Sequence, residues 1–280
     1  MRLSGLPISI AEALRVAAGR LDGASDTPRL DAELLMAHAL GVSREDVLLG
    51  RAGSVAPARF EALVERRLTG EPLAYITGTR DFWTITLGVA PGVLIPRPDS
   101  ETLIEAGVAH FGSDGPRTVL DLGTGPGTLL LAALDQWPAA IGLGIDASEI
   151  ALDIARANAA RLGMAGRATF RHGDWAKGLA ERFDLILCNP PYIAESEQIA
   201  HGVSGFEPHE ALFAGPDGLS GYRKLACQIP PLIAAGGLAA IEIGSTQRTE
   251  VEAFFADSGC VVTCQRDLGG RDRAILLSRQ

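Results

Sequence analysis

The chain has 280 residues, of which 47% are hydrophobic, and it carries a formal net charge of −9. No apolar run approaches the ~18 residues that a membrane-spanning helix needs, and the acidic balance argues against a protein that holds long nucleic acid by neutralising phosphates. The four cysteines form no CxxC pair, which favours free thiols in a reducing cytoplasm. We therefore expect a cytoplasmic monomer of two domains that binds neither nucleic acid nor a membrane.

Residues 1–70 have the pattern of a small helical domain. Ser9 and Glu12 have the form of a capping box, and five residues then recur on one helical face: Ile10, Ala13, Leu14, Ala17 and Leu21. A second helix is predicted to begin at Thr27 with Pro28 in its first position and to end at Gly41. Its apolar stripe would be Leu30, Leu34, Leu35 and Ala39. A third helix is predicted from Pro57 to Gly70, with Phe60, Leu63, Val64 and Leu68 as its stripe.

Residues 71–98 change to short β-type runs, at 74–77 and 82–86, punctuated by glycine and proline. We interpret this segment as a β-hairpin linker between two domains. From 99 to 280, strand and helix patterns alternate, with predicted strands at 118–122, 140–145, 168–171, 183–188 and 238–243. Such alternation predicts an α/β domain built on a parallel sheet with right-handed crossovers. The connection 193–221 is long and rich in glycine and proline, which is typical of a functional lid or of a poorly ordered segment, and we expect it to flank the glutamine pocket.

A strand ending in a glycine-rich turn begins the part of the sequence that carries chemistry. The turn is Gly123, Thr124, Gly125, Pro126 and Gly127. Such turns bring backbone N–H groups close to a nucleotide-like ligand, and a dinucleotide is the competing ligand. The GxGxG spacing lacks the third glycine of GxGxxG, and a carboxylate at Asp121 would repel a pyrophosphate but suit a ligand with an ammonium and a sulfonium. The turn therefore favours S-adenosylmethionine.

Two further acids follow strands that would meet at the same edge of the sheet. Asp146 ends the next predicted strand, placed to accept hydrogen bonds from ribose hydroxyls; the alternative is that it only caps the following helix. Asp174 and Trp175 follow the third strand, where the carboxylate could accept from an adenine amino group and the indole could flank the ring. For this pair the alternative is an ordinary surface turn. We expect all three residues to bind the cofactor.

The tetrapeptide Asn189-Pro190-Pro191-Tyr192 directly follows the apolar run 183–188. An amide nitrogen is a poor nucleophile because its lone pair is delocalised, so it must be held in place. Neither proline has an N–H, so the Asn189 side-chain oxygen and the Pro190 carbonyl can each accept one N–H of an incoming NH2 group. Such a clamp would aim the nitrogen at a methyl donor and stabilise its growing charge, with Tyr192 stacked on the planar group. The alternative is a proline-stiffened turn that Asn189 caps.

These motifs, in this order, resemble those of class I amino-group methyltransferases. The tetrapeptide alone admits adenine-N6 and protein-glutamine enzymes, but other segments narrow the choice: EPLAYITG at 71–78, DFW at 81–83, LIPRPD at 94–99 and DLGGRDR at 267–273. With Glu207-Pro208, Ala211-Leu212 and 217–219, they are similar to the HemK/PrmC family of release factor glutamine methyltransferases. The resemblance covers nearly the whole chain.

The resemblance implies a helical substrate-recognition domain, a β-hairpin and a Rossmann-like methyltransferase domain whose last strand, at 274–277, is reversed. It also implies methyl transfer from S-adenosylmethionine to the glutamine of a Gly-Gly-Gln loop in peptide chain release factors. Carried over by position, 123–127, Asp146 and Trp175 bind the cofactor, while 189–192 bind the glutamine, with Asn189 near both. The chain departs from the family at Pro126 and at Ser100, where threonine is commoner. We expect neither departure to touch the clamp.

Three other functions remain open at this point. The nearest is methylation of a glutamine in a ribosomal protein, which Phe82-Trp83 and the segment 95–98 disfavour by pattern. Adenine-N6 methylation is disfavoured by the acidic charge and by the lack of a basic stripe interleaved with aromatic residues. A non-catalytic cofactor-binding assembly module would have no need of an amide-sized pocket at Asn189.

Overall fold

A computed structural model describes residues 8–199 and 201–280. The chain divides into two units, one of Met1–Gly78 with Ala200–Phe206 and the other of Thr79–Ile199 with Glu207–Gln280. Residues 1–7 of the predicted helical domain lie outside the described residues. Within the described part of the chain, no helix is long and apolar enough to cross a membrane.

The helices, in chain order, are α1 (Ile10–Leu21), α2 (Pro28–Leu40), α3 (Arg44–Leu48), α4 (Arg59–Leu68), α5 (Leu73–Thr77), α6 (Glu101–Phe111), α7 (Thr128–Gln136), α8 (Glu149–Arg161), α9 (His201–Ser204), α10 (His209–Leu212), α11 (Ser220–Gln228) and α12 (Arg248–Phe255). The strands are β1 (Thr79–Phe82), β2 (Ile85–Gly88), β3 (Thr118–Leu122), β4 (Ile141–Asp146), β5 (Ala168–His172), β6 (Phe183–Cys188), β7 (Ile233–Glu242), β8 (Val261–Arg266) and β9 (Asp272–Ser278).

The first unit is a helical bundle whose first helix matches the sequence prediction. The Ser9 hydroxyl accepts a hydrogen bond from the Glu12 N–H at 3.2 Å, as in a capping box, and all five residues predicted to share a face of α1 are buried. The stripe predicted for α2 is wrong in part, because Leu30 is exposed and Leu34 is only half-buried. Helices α1, α3, α4 and α5 pack against α2.

Two acidic residues are buried in α2 because each has arginine partners. Asp31 pairs with Arg67 at 2.7 Å, and Glu33 pairs with Arg29 at 2.5 Å and with Arg44 at 2.7 Å. A buried carboxylate without such partners would strongly destabilise the fold. A pattern that counts only apolar residues therefore missed the acidic part of the buried face of α2.

The β-type run predicted at 74–77 is also wrong, because these residues lie in α5. Pro72 precedes the helix, and Gly78 ends it with a left-handed φ of +77°. The predicted hairpin is formed by β1 and β2, which pair antiparallel with Phe82 opposite Ile85. The second predicted run, 82–86, therefore spans the turn of the hairpin, where Trp83 adopts a φ of +54°.

The second unit is built on a seven-stranded sheet with the order β5-β4-β3-β6-β7-β9-β8. The first five strands in this order run parallel, and β9 is antiparallel to both β7 and β8. The mainly parallel sheet and the reversed last strand are thus confirmed. The sheet is buried on both faces, with Val119 and Leu185 packed toward Leu103 and Leu130 on one side, and Leu120 and Ile186 packed toward Tyr222 and Phe255 on the other.

Candidate functional site

The predicted site residues follow strands that end side by side. Leu122 of β3 is paired with Ile145 of β4 and with Cys188 of β6, and Cys188 is paired with Ile241 of β7. The residues that come next along these strands therefore stand in one row: Asp146, Gly123, Asn189 and Glu242. Ligands bind at this carboxyl edge in open α/β sheets, where the strand order reverses.

A cleft at this edge is lined by residues from three segments of the chain. They include Pro96, Arg97, Ser100, Asp121, Thr124, Gly125, Pro126, Thr128 and Asn189. The structure thus brings most of the predicted glycine-rich turn together with Asn189, which lies 64 residues further along the chain than Gly125. Asp146, Asp174 and Trp175 do not line this cleft.

The glycine-rich turn is shaped by backbone that only glycine adopts without strain. Gly123 and Gly127 have φ values of +71° and +87°, and a Cβ on Gly127 would lie 2.8 Å from the Leu131 side chain. Four N–H groups of the turn, which the sequence predicted to lie close to a ligand, donate hydrogen bonds within the chain. The acceptors are the Ile145 carbonyl for Gly123 and Thr124, the Asp146 carboxylate for Gly125 and the Thr124 carbonyl for Gly127.

Asn158 ties the glycine-rich turn to the hairpin. Its Nδ2 donates to the carbonyl of Pro126 at 2.8 Å and to that of Gly88 at 3.0 Å, while its Oδ1 accepts from the Gly88 N–H at 2.8 Å. The side chain is buried, so each of these bonds replaces lost water contacts. Pro126 departs from the family pattern, but its contact with Asn158 uses the backbone carbonyl, which proline has like any other residue.

Asp121 is a buried carboxyl with one unpartnered oxygen. Its Oδ2 accepts from the Thr124 hydroxyl at 2.6 Å and from the Leu130 N–H at 3.1 Å, whereas Oδ1 accepts no hydrogen bond from any described residue. Burial raises the pKa of Asp121 to about 7, although these two hydrogen bonds pull it down. Because an orphaned buried oxygen is costly, the site favours a cationic hydrogen-bond donor beside Oδ1.

Asp146 connects the glycine-rich turn to the segment that follows β4. Its Oδ2 accepts from the Gly125 N–H at 2.8 Å, and its Oδ1 accepts from the Ser148 N–H at 2.9 Å. The alternative that Asp146 caps the next helix is not what the structure shows, because Ser148 is the N-cap of α8 and accepts from the Ala151 N–H. Each carboxylate oxygen keeps a lone pair with which it can accept a further donor.

Trp175 has a strained backbone and lies against the glycine-rich turn. Its φ is +55°, a region that costs a bulky residue ~1 to 3 kcal/mol, and a Cβ on Gly123 would lie 3.4 Å from its ring. Its neighbour Asp174 is exposed, with the Lys224 ammonium 4.0 Å away. The indole therefore stands beside the turn, and the Asp174 carboxylate points to the surface of the protein.

Asn189 is held by a residue that the sequence analysis set aside. Its Nδ2 donates to the Ser100 hydroxyl oxygen at 3.0 Å. The expectation that Ser100 does not touch the clamp is therefore wrong: the two residues are 89 positions apart, and α6 begins next to β6 in space. In the part of the chain that the structure describes, neither the Asn189 Oδ1 nor the Pro190 carbonyl accepts a hydrogen bond. Both acceptors of the predicted clamp are thus unoccupied by the chain itself.

Tyr192 points its hydroxyl into the protein. It donates to the Glu242 Oε1 at 3.4 Å, and the Tyr192 carbonyl accepts from the Gln247 Nε2 at 3.0 Å. Burial raises the pKa of the Tyr192 phenol, and the nearby Glu242 carboxyl raises it further. The phenol therefore stays neutral at physiological pH and acts as a donor.

Three residues near this edge, Glu207, Ser100 and Glu242, were not predicted as site residues. Glu207 is buried and accepts from the Ile95 N–H at 2.9 Å and from Arg97 at 2.5 Å, which fixes the segment that forms one wall of the cleft. Ser100 contacts Asn189, and Glu242 ends β7 in the same row of residues as Asn189. A signal for Glu242 was present, since it is the lone charged residue in the apolar run of 238–243; a lone hydroxyl such as Ser100 gives none.

The chain is similar to known proteins over most of its length. Residues 12–78 match the family model described as the PrmC N-terminal domain, and residues 100–205 match the methyltransferase small domain. A release factor glutamine methyltransferase of Rhodospirillum rubrum is 44% identical over 261 residues, which are 91% of this chain and 80% of the relative. One of Caulobacter vibrioides is 40% identical over 279 residues, 97% of this chain and 96% of the relative. The catalytic domain of hMettl16, solved with an RNA hairpin, shares the fold alone, with a TM-score of 0.57 and 12% identity over 77% of this chain and 82% of that chain.

Proposed function

The chain belongs to the family of release factor glutamine methyltransferases, and we propose that it methylates the side-chain amide nitrogen of the glutamine in the Gly-Gly-Gln loop of peptide chain release factors. The methyl donor is S-adenosylmethionine, which supplies an electrophilic methyl group on a sulfonium. The observation that carries the proposal is a pair of acceptors, the Asn189 Oδ1 and the Pro190 carbonyl, that no described residue occupies, with Asn189 lining the cleft beside the glycine-rich turn.

The cofactor half of the site fits a cationic, ribose-bearing ligand. The unpartnered Asp121 Oδ1 suits an ammonium, and the Asp146 carboxylate lies next to the turn with lone pairs to spare for ribose hydroxyls. Trp175 stands beside Gly123, where an indole would cover one face of an adenine. We keep Asp174 as a weaker candidate, because its carboxylate is exposed and away from the cleft.

The acceptor half of the site suits a primary amide. An NH2 group has two donors in one plane, and two acceptors at a fixed separation can hold both of them. The Ser100 contact fixes the Asn189 side chain before substrate arrives, so little of the binding free energy is lost in ordering it. As positive charge builds on the reacting nitrogen, both acceptors bind it more tightly, which is how preorganised dipoles lower a barrier. Pro191 and Tyr192 complete the turn and carry no donor toward the amide.

Partner recognition is the second part of the proposal. A minimal methyltransferase domain has no need of the helical domain at 1–70, so we assign it to docking of the release factor, with 71–98, which contains α5 and the hairpin of β1 and β2, as the linker. We further propose that the protein works as a monomer in the cytoplasm and contacts no nucleic acid directly. Its net charge of −9 supports the last point.

The test is a methylation assay with labelled S-adenosylmethionine and purified substrates. Four kinds of substrate are incubated in parallel. They are release factors, the same factors with the Gly-Gly-Gln glutamine changed to alanine, ribosomal proteins and adenine-containing DNA. Mass spectrometry then locates the label. We expect label on the Gly-Gly-Gln glutamine and none on the altered factor. Label on a ribosomal-protein glutamine or on adenine instead would replace the proposed substrate, and cofactor binding without transfer to any of them would indicate a non-catalytic module.

A further inference from the structure

The Pro190 carbonyl, one of the two acceptors of the clamp, lies in a segment that cannot hold itself. Pro190 and Pro191 have no N–H, so neither can anchor its peptide plane with a backbone donor. Their fixed φ values, and the extended backbone that each proline requires of the residue before it, make the segment 189–192 stiff. A stiff segment of four residues has a defined position only if both of its ends are held.

The two ends of this segment are held in different ways. Asn189 directly follows β6, whose last residue, Cys188, is paired with both β3 and β7. At the other end, the carbonyl of Tyr192 accepts a hydrogen bond from the Gln247 Nε2 at 3.0 Å. Among the backbone groups of 190–192, this carbonyl is the only one with a hydrogen bond to a described residue. The Tyr192 ring packs against the core of the sheet, but a ring contact does not set the direction of a carbonyl.

Gln247 can donate to this carbonyl in one orientation only. Its Oε1 accepts from the Gly244 N–H at 3.0 Å, while its Nε2 faces the Tyr192 carbonyl. Both partners are backbone groups of fixed polarity, so an inverted amide would place oxygen against oxygen and N–H against N–H. The amide therefore bridges the turn that follows β7 to the end of the segment 189–192.

Two glycines make room for the Gln247 amide and for the carbonyl that it holds. A Cβ on Gly244 would lie 2.9 Å from the Gln247 Oε1. A Cβ on Gly218 would collide with the Tyr192 carbonyl oxygen and lie 3.0 Å from the Gln247 Nε2. Backbone can approach this closely only where the residue has no side chain. The chain thus leaves a space for one polar amide between three backbone segments.

We infer that Gln247 is a positioning residue for methyl transfer, which holds the far end of the segment 189–192 so that the Pro190 carbonyl stays directed at the amide to be methylated. Gln247 acts through the Tyr192 carbonyl and touches neither substrate nor cofactor in this scheme. Its removal leaves the segment held at one end, so the acceptor can swing away from the reacting nitrogen. The identity of the substrate rests on the proposed function.

The same amide contacts the end of the connection 193–221. The Gly218 carbonyl lies 3.4 Å from the Gln247 Nε2. The connection is also fastened by backbone hydrogen bonds on both sides of Ile193, which do not involve Gln247 and remain when its amide is removed. An effect through the connection would appear in the binding of the release factor, and so in KM. An effect through the Pro190 carbonyl would appear in kcat, because that acceptor matters most as charge builds on the nitrogen.

Kinetics of two Gln247 variants of the full-length protein test the inference. At about pH 8, Gln247→Glu is ionised; it still accepts from the Gly244 N–H but places an oxygen against the Tyr192 carbonyl. Gln247→Met fills a similar volume and makes no hydrogen bond. Each should lower kcat about tenfold, the worth of one hydrogen bond, with little change in KM or in affinity for S-adenosylhomocysteine.

The matched control is Gln136→Glu, because the Gln136 side chain only accepts, from the Trp83 indole at 3.1 Å. It makes the same change of charge and should keep the wild-type rate. If the Gln247 side chain only fills space, Gln247→Met keeps the wild-type rate as well. Wild-type kcat in either folded Gln247 variant, or a loss confined to KM, would overturn the inference.

A change at Gly244 displaces the amide while Gln247 itself stays in place. Gly244→Ala adds a Cβ against the Gln247 Oε1 and should lower kcat in the wild type. In the Gln247→Ala background that space is open, so the same substitution should have little further effect. Losses that simply add would contradict the inference. Gly166→Ala, whose Cβ would have nothing within 4 Å, is the control and should keep the wild-type rate.

NMR relaxation dispersion tests the positioning without any catalysis. In 15N-labelled protein with S-adenosylhomocysteine added, the backbone amide of Tyr192 should show little motion on the microsecond to millisecond timescale in the wild type and clear dispersion in Gln247→Glu. Equal dispersion in the two proteins would refute the inference even if release factors are methylated. The expected difference, in a protein that does not methylate release factors, would refute only the proposed substrate.

Discussion

Replacing Asn189 by alanine is the most direct test of the amide clamp. The change removes the Oδ1 acceptor, which matters most when the reacting nitrogen carries positive charge, so the loss should fall on kcat. Removal of one preorganised polar contact of this kind costs ~10² to 10³ in rate, or about 3 to 4 kcal/mol. The cost in folding should be smaller, because within the described residues the side chain makes a single hydrogen bond, to Ser100, worth about 1 kcal/mol. A loss of that size leaves a typical domain folded, so reduced turnover could not be blamed on unfolding.

Steady-state kinetics with a release factor, together with calorimetry of cofactor binding, separate the possible outcomes. The other asparagine of the chain, Asn158, provides the comparison. Asn158→Ala breaks the contacts with Gly88 and Pro126 and should lower cofactor affinity and stability more than kcat at saturation. Asn189→Asp keeps the shape but adds a negative charge near the sulfonium, so we expect impaired turnover with retained cofactor binding. A folded Asn189→Ala protein with the kcat of the wild type would show that Asn189 is only a turn residue.

Three further predictions address the cofactor, the helical domain and the long connection. Calorimetry should show binding of S-adenosylmethionine or S-adenosylhomocysteine without added metal and no competition by NAD; tight NAD binding with no response to S-adenosylhomocysteine would reverse the assignment. Deletion of residues 1–70 should leave cofactor binding largely intact and sharply lower methylation of a folded release factor. Full activity of the truncated enzyme would show that the helices play no part in substrate recognition. Hydrogen exchange in 193–221 should slow when the release factor binds, while exchange as slow as in β3 and β6 before binding would argue against a lid. Ala200 and the His201 side chain lie outside the described residues of that stretch.

The parts of the fold that follow from local pattern were predictable. The apolar run 183–188 is β6 from its first to its last residue, and the five-residue face of α1 is buried as its spacing required. The misses have local causes too. β8 is a strand at the edge of the sheet with no fully buried residue, so its sequence lacks the apolar run of a central strand. The five-residue helices α3 and α5 are too short for a helical period to show.

The parts of the site that depend on distant contacts were not predictable. Asn189 and Pro190 could be recognised because their chemistry is contained in one tetrapeptide. Ser100 could not, because a serine at a helix start has many ordinary roles, and only the approach of α6 to the end of β6 places it against Asn189. The sequence also indicated a nucleotide-like ligand at the glycine-rich turn. It could not show that N–H groups of the turn donate to Ile145, Asp146 and Thr124, because those contacts depend on the fold.

The register of the parallel strands has a consequence for which mutations the protein can tolerate. Backbone pairing of Leu122 with Cys188 and of Cys188 with Ile241 sets how far each strand reaches. Exchange of one apolar side chain for another within β6 leaves that ladder unchanged, so the core can drift in composition while the positions of Gly123, Asn189 and Glu242 stay fixed. A single-residue deletion in β6 would instead move Asn189 by ~3.3 Å along the strand and turn its side chain to the opposite face of the sheet. Strand length is therefore under far stricter constraint than strand composition.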